Sequence, residues 1–348
     1  MGKALDPSDI RKAQAENPRM RARDLAASLG ITEAEYVAAW CGEGATRIRV
    51  AFDALFSAFA NLGEVMALTR NESAVHEKTG VYDKFVAGKH AAMMLGEAID
   101  MRMFPRHWAH GFAVETRDGE TVRRSLQFFD VHGEAVHKIH SRAGTDLGAW
   151  RDLVTAFAHE DQSPAIAIEP RQPAETPAAE APVEELREHW SRMTDTHQFV
   201  PLLRKLNLDR LQAVRSVGAD YAWKIDTSSI GAMLNLAANE KLPIMCFVGN
   251  EGCIQIHSGP VETIKEMGPW LNVLDPGFNL HLRQDHVHEV WAVRKPTDKG
   301  HVTSLEAYDA NGGLIVQFFG KRIEGQDERE GWRLIMENLP RIDDRKAA

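Results

Sequence analysis

The sequence predicts an α+β protein built as a tandem repeat, with two large antiparallel β-sheets stacked and helices outside. Three observations predict it. A proline-rich stretch lies close to the midpoint of the chain. The two halves match each other without a gap at an offset of 179 residues. Each half runs from helical periodicity into short strand-like runs split by glycine turns.

At roughly 150 residues per domain, the 348 residues suggest about two domains. Residues 161–185 read DQSPAIAIEPRQPAETPAAEAPVEE and hold five of the 15 prolines, a composition that gives extended linkers. The expected division is a repeat over 1–160, a linker over 161–185 and a second repeat over 186–348. Residues 55–133 align with 234–312 with 14 identities in 79 positions, among them Asn71/Asn250, His107/His286, Asp130/Asp309 and Gly133/Gly312. That is about three times chance for ordinary residue usage. An offset of 177 extends the match upstream through Leu25/Leu202 and Val37/Val214.

The first half opens with RDLAASLGITEAEYVAAW and the second with HQFVPLLRKLNLDRLQAVRSVG. Both space apolar residues by three and four, which predicts helices, with Asp209 as an N-cap of one ending at Gly218. The first half then carries three runs divided at Asp118-Gly119 and His132-Gly133. The second repeats this with breaks at Lys299-Gly300 and Asn311-Gly312-Gly313. Runs joined by such turns predict antiparallel hairpins.

Composition excludes several classes. Lys and Arg total 41 against 50 Asp and Glu, a net charge of -9, the opposite of a nucleic-acid protein's basic surplus. No run of 18 apolar residues offers a membrane span, and the charged start of the chain lacks the apolar core of a secretory leader. Cys41, Cys246 and Cys253 form no CxxC pair, as expected in a reducing compartment. There is no GxGxxG opening a helix, no Walker loop and no GxSxG, so nucleotide binding and serine hydrolysis lack support. Fifteen histidines leave ligand coordination as the main chemical option.

The halves differ where chemistry could reside. His197 pairs with Met20, Arg210 with Glu33, Arg294 with Glu115 and Lys295 with Thr116. The second half has thus gained a histidine and cations. His197 stands at a helix start where Asp195 or Thr196 can cap, and Pro201 four residues later loosens the first turn. His286 and His288, two apart, would share a strand face and form half of a zinc site, with no third ligand evident. Arg102, His107 and His110 fall close together in MRMFPRHWAHGF.

The runs TRNESAVHEKTGVYDKF, MTDTHQFVPLLRKLNLDRLQA, VWAVRKPT, TSLEAYD and FFGKR resemble the bacterial heme-utilisation family called HemS, ChuS, HmuS or PhuS, also described as hemin-degrading factors. The resemblance covers nearly the whole chain. It implies heme as bound ligand or substrate, lodged mainly in the C-terminal repeat. By the same resemblance His197 is the axial ligand of the heme iron and Arg102 lies on the distal side. Arg210 and Lys295 receive the propionates, with Arg322 and Gln317 as further candidates. Phe104, Phe247 and Phe319 wall the pocket, Phe319 standing where several members have tyrosine, and His76 belongs to a possible second site. The function implied is a cytoplasmic heme-binding protein of iron uptake, taking heme from an inner-membrane importer to an acceptor or oxygenase. The alternative is an oxygen- and reductant-dependent heme-degrading enzyme, with no catalytic residue identified. A zinc-binding structural protein is the remote third reading.

Overall fold

The computed structural model describes residues 5–88, 90–172, 180–322 and 327–342. Its first half contains nine strands: β1 (Ala45–Ile48), β2 (Gly63–Arg70), β3 (Ala74–Gly80), β4 (Phe85–Val86), β5 (Ala92–Leu95), β6 (Asp100–Met103), β7 (His110–Asp118), β8 (Thr121–Phe129) and β9 (Ala135–Thr145). The second half contains β10 (Ala222–Ile225), β11 (Ile244–Gly249), β12 (Cys253–Gly259), β13 (Ile264–Met267), β14 (Trp270–Asp275), β15 (Phe278–Arg283), β16 (Glu289–Thr297), β17 (Gly300–Tyr308) and β18 (Leu314–Gly320). The helices are α1 (Pro7–Glu16), α2 (Ala22–Leu29), α3 (Glu33–Ala38), α4 (Phe52–Phe59), α5 (Leu147–Phe157), α6 (Val183–Ser191), α7 (Phe199–Leu206), α8 (Arg210–Ser216), α9 (Ser229–Asn239) and α10 (Glu330–Asn338).

Contacts divide the chain into two units. One comprises Met1–Arg70, Glu77–Gln172 and Gly249–Gln255; the other comprises Asn71–His76, Pro173–Val248 and Ile256–Ala348. The first holds the strand run β1-β7-β8-β9-β2, the second β10-β16-β17-β18-β11, the same order one repeat later. Each run belongs to a nine-stranded sheet, and the described pairings are antiparallel. The α+β class and the duplication read from the sequence are both present.

The repeat identities explain themselves as turn builders. Asp130 Oδ1 accepts from the amides of His132 and Glu134; Asp309 Oδ1 accepts likewise from Asn311 and Gly313. Gly133 and Gly312 follow with φ of 79° and 83°, a left-handed conformation that glycine adopts without a Cβ penalty. Asn71 and Asn250 each accept two amides of the turn that follows them. One bulge also coincides, between Phe128 and Phe129 in one half and Ala307 and Tyr308 in the other.

The helical openings each resolve into two short helices. In the first half α2 ends at Gly30 with φ 69°, and α3 starts from a capping box of Thr32 and Glu35. In the second, α7 ends at Asn207 with φ 50°, and Asp209 caps α8 through the Gln212 amide at 2.7 Å. Their apolar faces bury Leu202, Leu203, Leu206, Leu211 and Val214 with Trp291, Val293 and Tyr308 of the sheet. At about 1.5–3 kcal/mol per fully buried large apolar side chain, this fixes α7 and α8 on β16 and β17.

Candidate functional site

His197 lies in a 3-10 turn, Thr196–Gln198, immediately before α7. Asp195 caps the turn: its Oδ1 accepts the His197 amide at 2.7 Å, while the Gln198 side chain closes the capping box. Pro201 is the third residue of α7, within the first turn, where its missing N–H forfeits no intrahelical bond. The turn therefore presents the imidazole outward, with 93% of the side chain exposed. The ring does not swing freely, because its Nδ1 lies 2.6 Å from Asp195 Oδ1. Hydrogen bonds from His197, the backbone amide foremost and then the ring, hold the Asp195 carboxyl below the usual carboxylate range, and Arg322 adds to the effect. With Nδ1–H donated to a carboxylate, the lone pair resides on Nε2. This is the carboxylate–histidine arrangement of metal ligands.

A second constellation lies behind the turn. Glu306 on β17 is completely buried and accepts from five side chains. Arg210 donates from Nε at 2.8 Å and from Nη2 at 3.2 Å. Lys295 Nζ donates at 2.9 Å, Ser304 Oγ at 2.8 Å, Tyr308 Oη at 2.5 Å and Gln317 Nε2 at 2.9 Å. Strand alternation explains the convergence. Glu306 faces Trp291 on β16 and Gln317 on β18, and Lys295 shares the face of Trp291 four residues along. Burial alone would raise the Glu306 carboxyl, but Arg210 and Lys295 beside it hold it well below its ordinary range. Burial pushes the Lys295 ammonium down to about 8, Arg210 adds to the fall, and Glu306 opposes it.

Phe199 joins the two constellations. It is buried two residues beyond His197, and both cations lie over its ring, Arg210 at 4.9 Å and Lys295 at 4.6 Å from the centroid. Within one unit, the cation pair thus lies over a ring that follows the imidazole by two residues.

The structure places the other expected residues as follows. Gln317 joins the cluster, and Arg322 is exposed near Asp195. Phe247 and Phe319 pack edge to face at 5.0 Å on the paired β11 and β18. Arg102, on β6, is tied in its own unit to Asp100 and to the Met101 carbonyl at 3.1 Å. Phe104 follows β6, its amide bonded to the Gly252 carbonyl at 2.9 Å. His76 is buried, its ring 4.9 Å from that of Phe278. The zinc reading needs correction. His286 lies in a 3-10 turn with Nδ1 3.0 Å from Ser73 Oγ, and the strand expected to carry it begins only at Glu289. The two histidines do not share a strand face. Among the described residues no three His, Cys, Asp or Glu side chains gather as a metal site.

Sequence reasoning missed Glu306, Tyr308, Ser304 and Phe199, and took Asp195 only as a cap. One signal was available: at the offset of 179, Glu306 replaces Gln127 in the middle of a β-run. The first repeat builds its own buried ion cluster with reversed polarity. Glu33, at the Arg210 position, is bonded to Arg70 and, at 2.5 Å, to Lys138, which stands at the Gln317 position.

A family model described as the haemin-degrading HemS/ChuX domain matches residues 30–157 and again 207–339. The hemin transport protein HmuS of Yersinia pestis is 42% identical over 325 residues, 92% of this chain and 93% of that protein. The structure of holo-PhuS, a heme-binding protein from Pseudomonas aeruginosa, superposes with a TM-score of 0.94 at 41% identity, covering 97% of this chain and all of that one. ChuS, described as a heme oxygenase of E. coli, gives 0.87 at 35% identity over 95% of this chain and 99% of its own.

Proposed function

The chain belongs to the haemin-degrading HemS/ChuX family, and on that footing we propose that it binds heme through its C-terminal repeat (186–348) and carries it in heme-iron uptake. The observation that carries this reading is the junction at Phe199, whose ring lies under Arg210 and Lys295 and which follows His197 by two residues. Heme asks for those two chemistries together: a neutral nitrogen for iron and cations for two propionates. His197 would supply the lone pair on Nε2, oriented by Asp195. Arg210 and Lys295 would receive carboxylate, with Gln317 and Arg322 assisting. Phe104, Phe247 and Phe319 are the proposed apolar lining. Arg102 is proposed as the distal hydrogen-bond donor, since a guanidinium has no lone pair for iron. His76 as a second ligand is the weaker proposal, because its burial against Phe278 requires movement before it could reach a macrocycle.

Transfer from an inner-membrane importer to an acceptor or oxygenase in the cytoplasm completes the proposal. The three cysteines are free thiols, as a reducing compartment allows. No described helix is long and apolar enough to cross a membrane. A single imidazole ligand favours exchange, since one strong bond must break.

A second reading is favoured by the likeness to ChuS: that the bound heme is degraded here, with dioxygen and an external reductant. One experiment separates the two. Heme is loaded anaerobically, then oxygen and reductant are added in the presence of catalase. A spectrum that persists supports the carrier; one that bleaches through defined intermediates despite catalase supports the enzyme. Failure to form a stoichiometric complex at all refutes both.

A further inference from the structure

Arg210 and Lys295 already hold a carboxylate, that of Glu306, and its placement is not what the fold alone would select. Arg210 is the first residue of α8, at the positive end of the helix dipole, where a cation is disfavoured. The other repeat obeys the rule by placing Glu33 there. That repeat also has Gln127 where Glu306 stands and Thr116 where Lys295 stands, so the sheet itself demands neither charge. Glu306 receives six hydrogen bonds, more than the roughly four lone-pair sites of a carboxylate, so it is saturated and has no capacity left for proton transfer. The Arg210 bonds use Nε and Nη2, which fixes the plane of the guanidinium. Two cations and one carboxylate leave one net positive charge.

We propose that Glu306 is the positioning residue of the heme-carboxylate site: an internal counter-anion that orients Arg210, Lys295 and Gln317 before ligand arrives and keeps Lys295 protonated, so that the cluster offers a net positive charge to propionate. The proposal rests on the heme reading above. Among the described residues, the side chains bonded to Glu306 are Arg210 from α8, Lys295 from β16, Ser304 and Tyr308 from its own strand and Gln317 from β18. Without Glu306 two like charges face each other in a buried setting, and the ammonium, already depressed, is the one that yields its proton.

The test uses the full chain with Glu306→Gln and Glu306→Asp. In the ligand-free protein, NMR of 13C-methylated lysines follows the titration of Lys295, assigned by its loss in Lys295→Arg. In the loaded protein, heme release to excess apomyoglobin is measured from pH 6 to 9. Wild-type release should accelerate as pH rises through the Lys295 titration. Glu306→Gln should lower that titration by about one pH unit or more, carry the acceleration with it, and release heme about tenfold faster at pH 7.5. Glu306→Asp should bring both back toward wild type, which a purely structural role would not do. A Lys295 titration unchanged in folded Glu306→Gln overturns the proposal. If that variant does not fold, Glu306→Asp decides: a titration displaced by a full unit, with the charge retained, overturns it, and one near wild type supports it. Because the titration is read without heme, failure of the heme reading shows separately, as absence of binding in wild type.

Discussion

Asp195→Asn isolates what the carboxylate does for the imidazole. Asparagine keeps an oxygen acceptor for the His197 amide and ranks with aspartate as an N-cap, so the turn should persist and the unfolding midpoint should stay close to wild type. What disappears is the negative charge 2.6 Å from Nδ1, which fixes the tautomer and makes Nε2 the more basic donor. Loss of such an outer partner costs 10–100-fold in metal affinity. Here the ring is 93% exposed, so water competes for Nδ1–H and the lower end applies, about tenfold or 1.4 kcal/mol. Heme release to excess apomyoglobin should therefore quicken about tenfold, and the iron–histidine stretching band of the ferrous complex should move to lower frequency. Asp195→Ala adds loss of the cap, about 1 kcal/mol of stability, and serves as the contrast. If Asp195→Asn releases heme at the wild-type rate with an unshifted band while His197→Ala does not, Asp195 is a cap and nothing more.

Three further outcomes follow from the same geometry. His197→Ala should change the heme spectrum as well as the release rate; a wild-type spectrum that survives even when His76→Ala is added would remove His197 from the site. Arg210→Ala leaves the buried Glu306 without its main partner, so stability in urea should fall by about 3–5 kcal/mol, and Arg210→Ala/Glu306→Gln should recover at least half of that loss. A single variant as stable as wild type would show that the pair is not coupled. Glu33 provides a pH effect. Burial would raise its carboxyl, but Lys138 and Arg70 outweigh burial and bring it to about 2 from 4.5. The stability it contributes, about 3 kcal/mol, is complete above pH 4.5 and disappears as pH falls toward 2. Lys138, lowered by burial from 10.5, is protonated in both folded and unfolded states across that window and adds no slope. Glu33→Gln should flatten the acid limb of a stability–pH curve; an unchanged limb would assign it to other carboxylates.

Much of the architecture was readable because duplication writes the same instructions twice. The turn-forming Asn71/Asn250, Asp130/Asp309 and Gly133/Gly312 pairs survive as identities because few other residues accept two turn amides or tolerate a left-handed backbone. The helical openings were readable from periodicity, but their division at Gly30 and Asn207 depends on single residues that a periodic pattern runs straight through. His197 could be singled out because its repeat partner is a methionine. Glu306 carried only its exchange for Gln127 between the repeats, since the run HVTSLEAY is buried along most of its length and shows no polar alternation to mark one face. Its partners come from α8, β16 and β18, positions that only the strand register brings together. His286 misled because β15 ends at Arg283 and a 3-10 turn precedes β16, a break that no glycine or proline announces.

The reversed polarity of the two buried ion clusters also bears on how the chain sorts itself as it folds. The two halves share a strand order, a bulge and the turns built on Asp130 and Asp309. Docking of a helix from one half on the sheet of the other is the characteristic error of repeated architectures. Charge opposes it. Against the C-terminal strands, Glu33 would meet Glu306; against the N-terminal strands, Arg210 would meet Lys138 and Arg70. Two like charges about 4 Å apart cost about 4 kcal/mol at an effective dielectric of 20, and each cluster would also lose its own attraction. The exchange of acid and base between equivalent positions thus sets a charge penalty on docking either helical segment against the other's sheet.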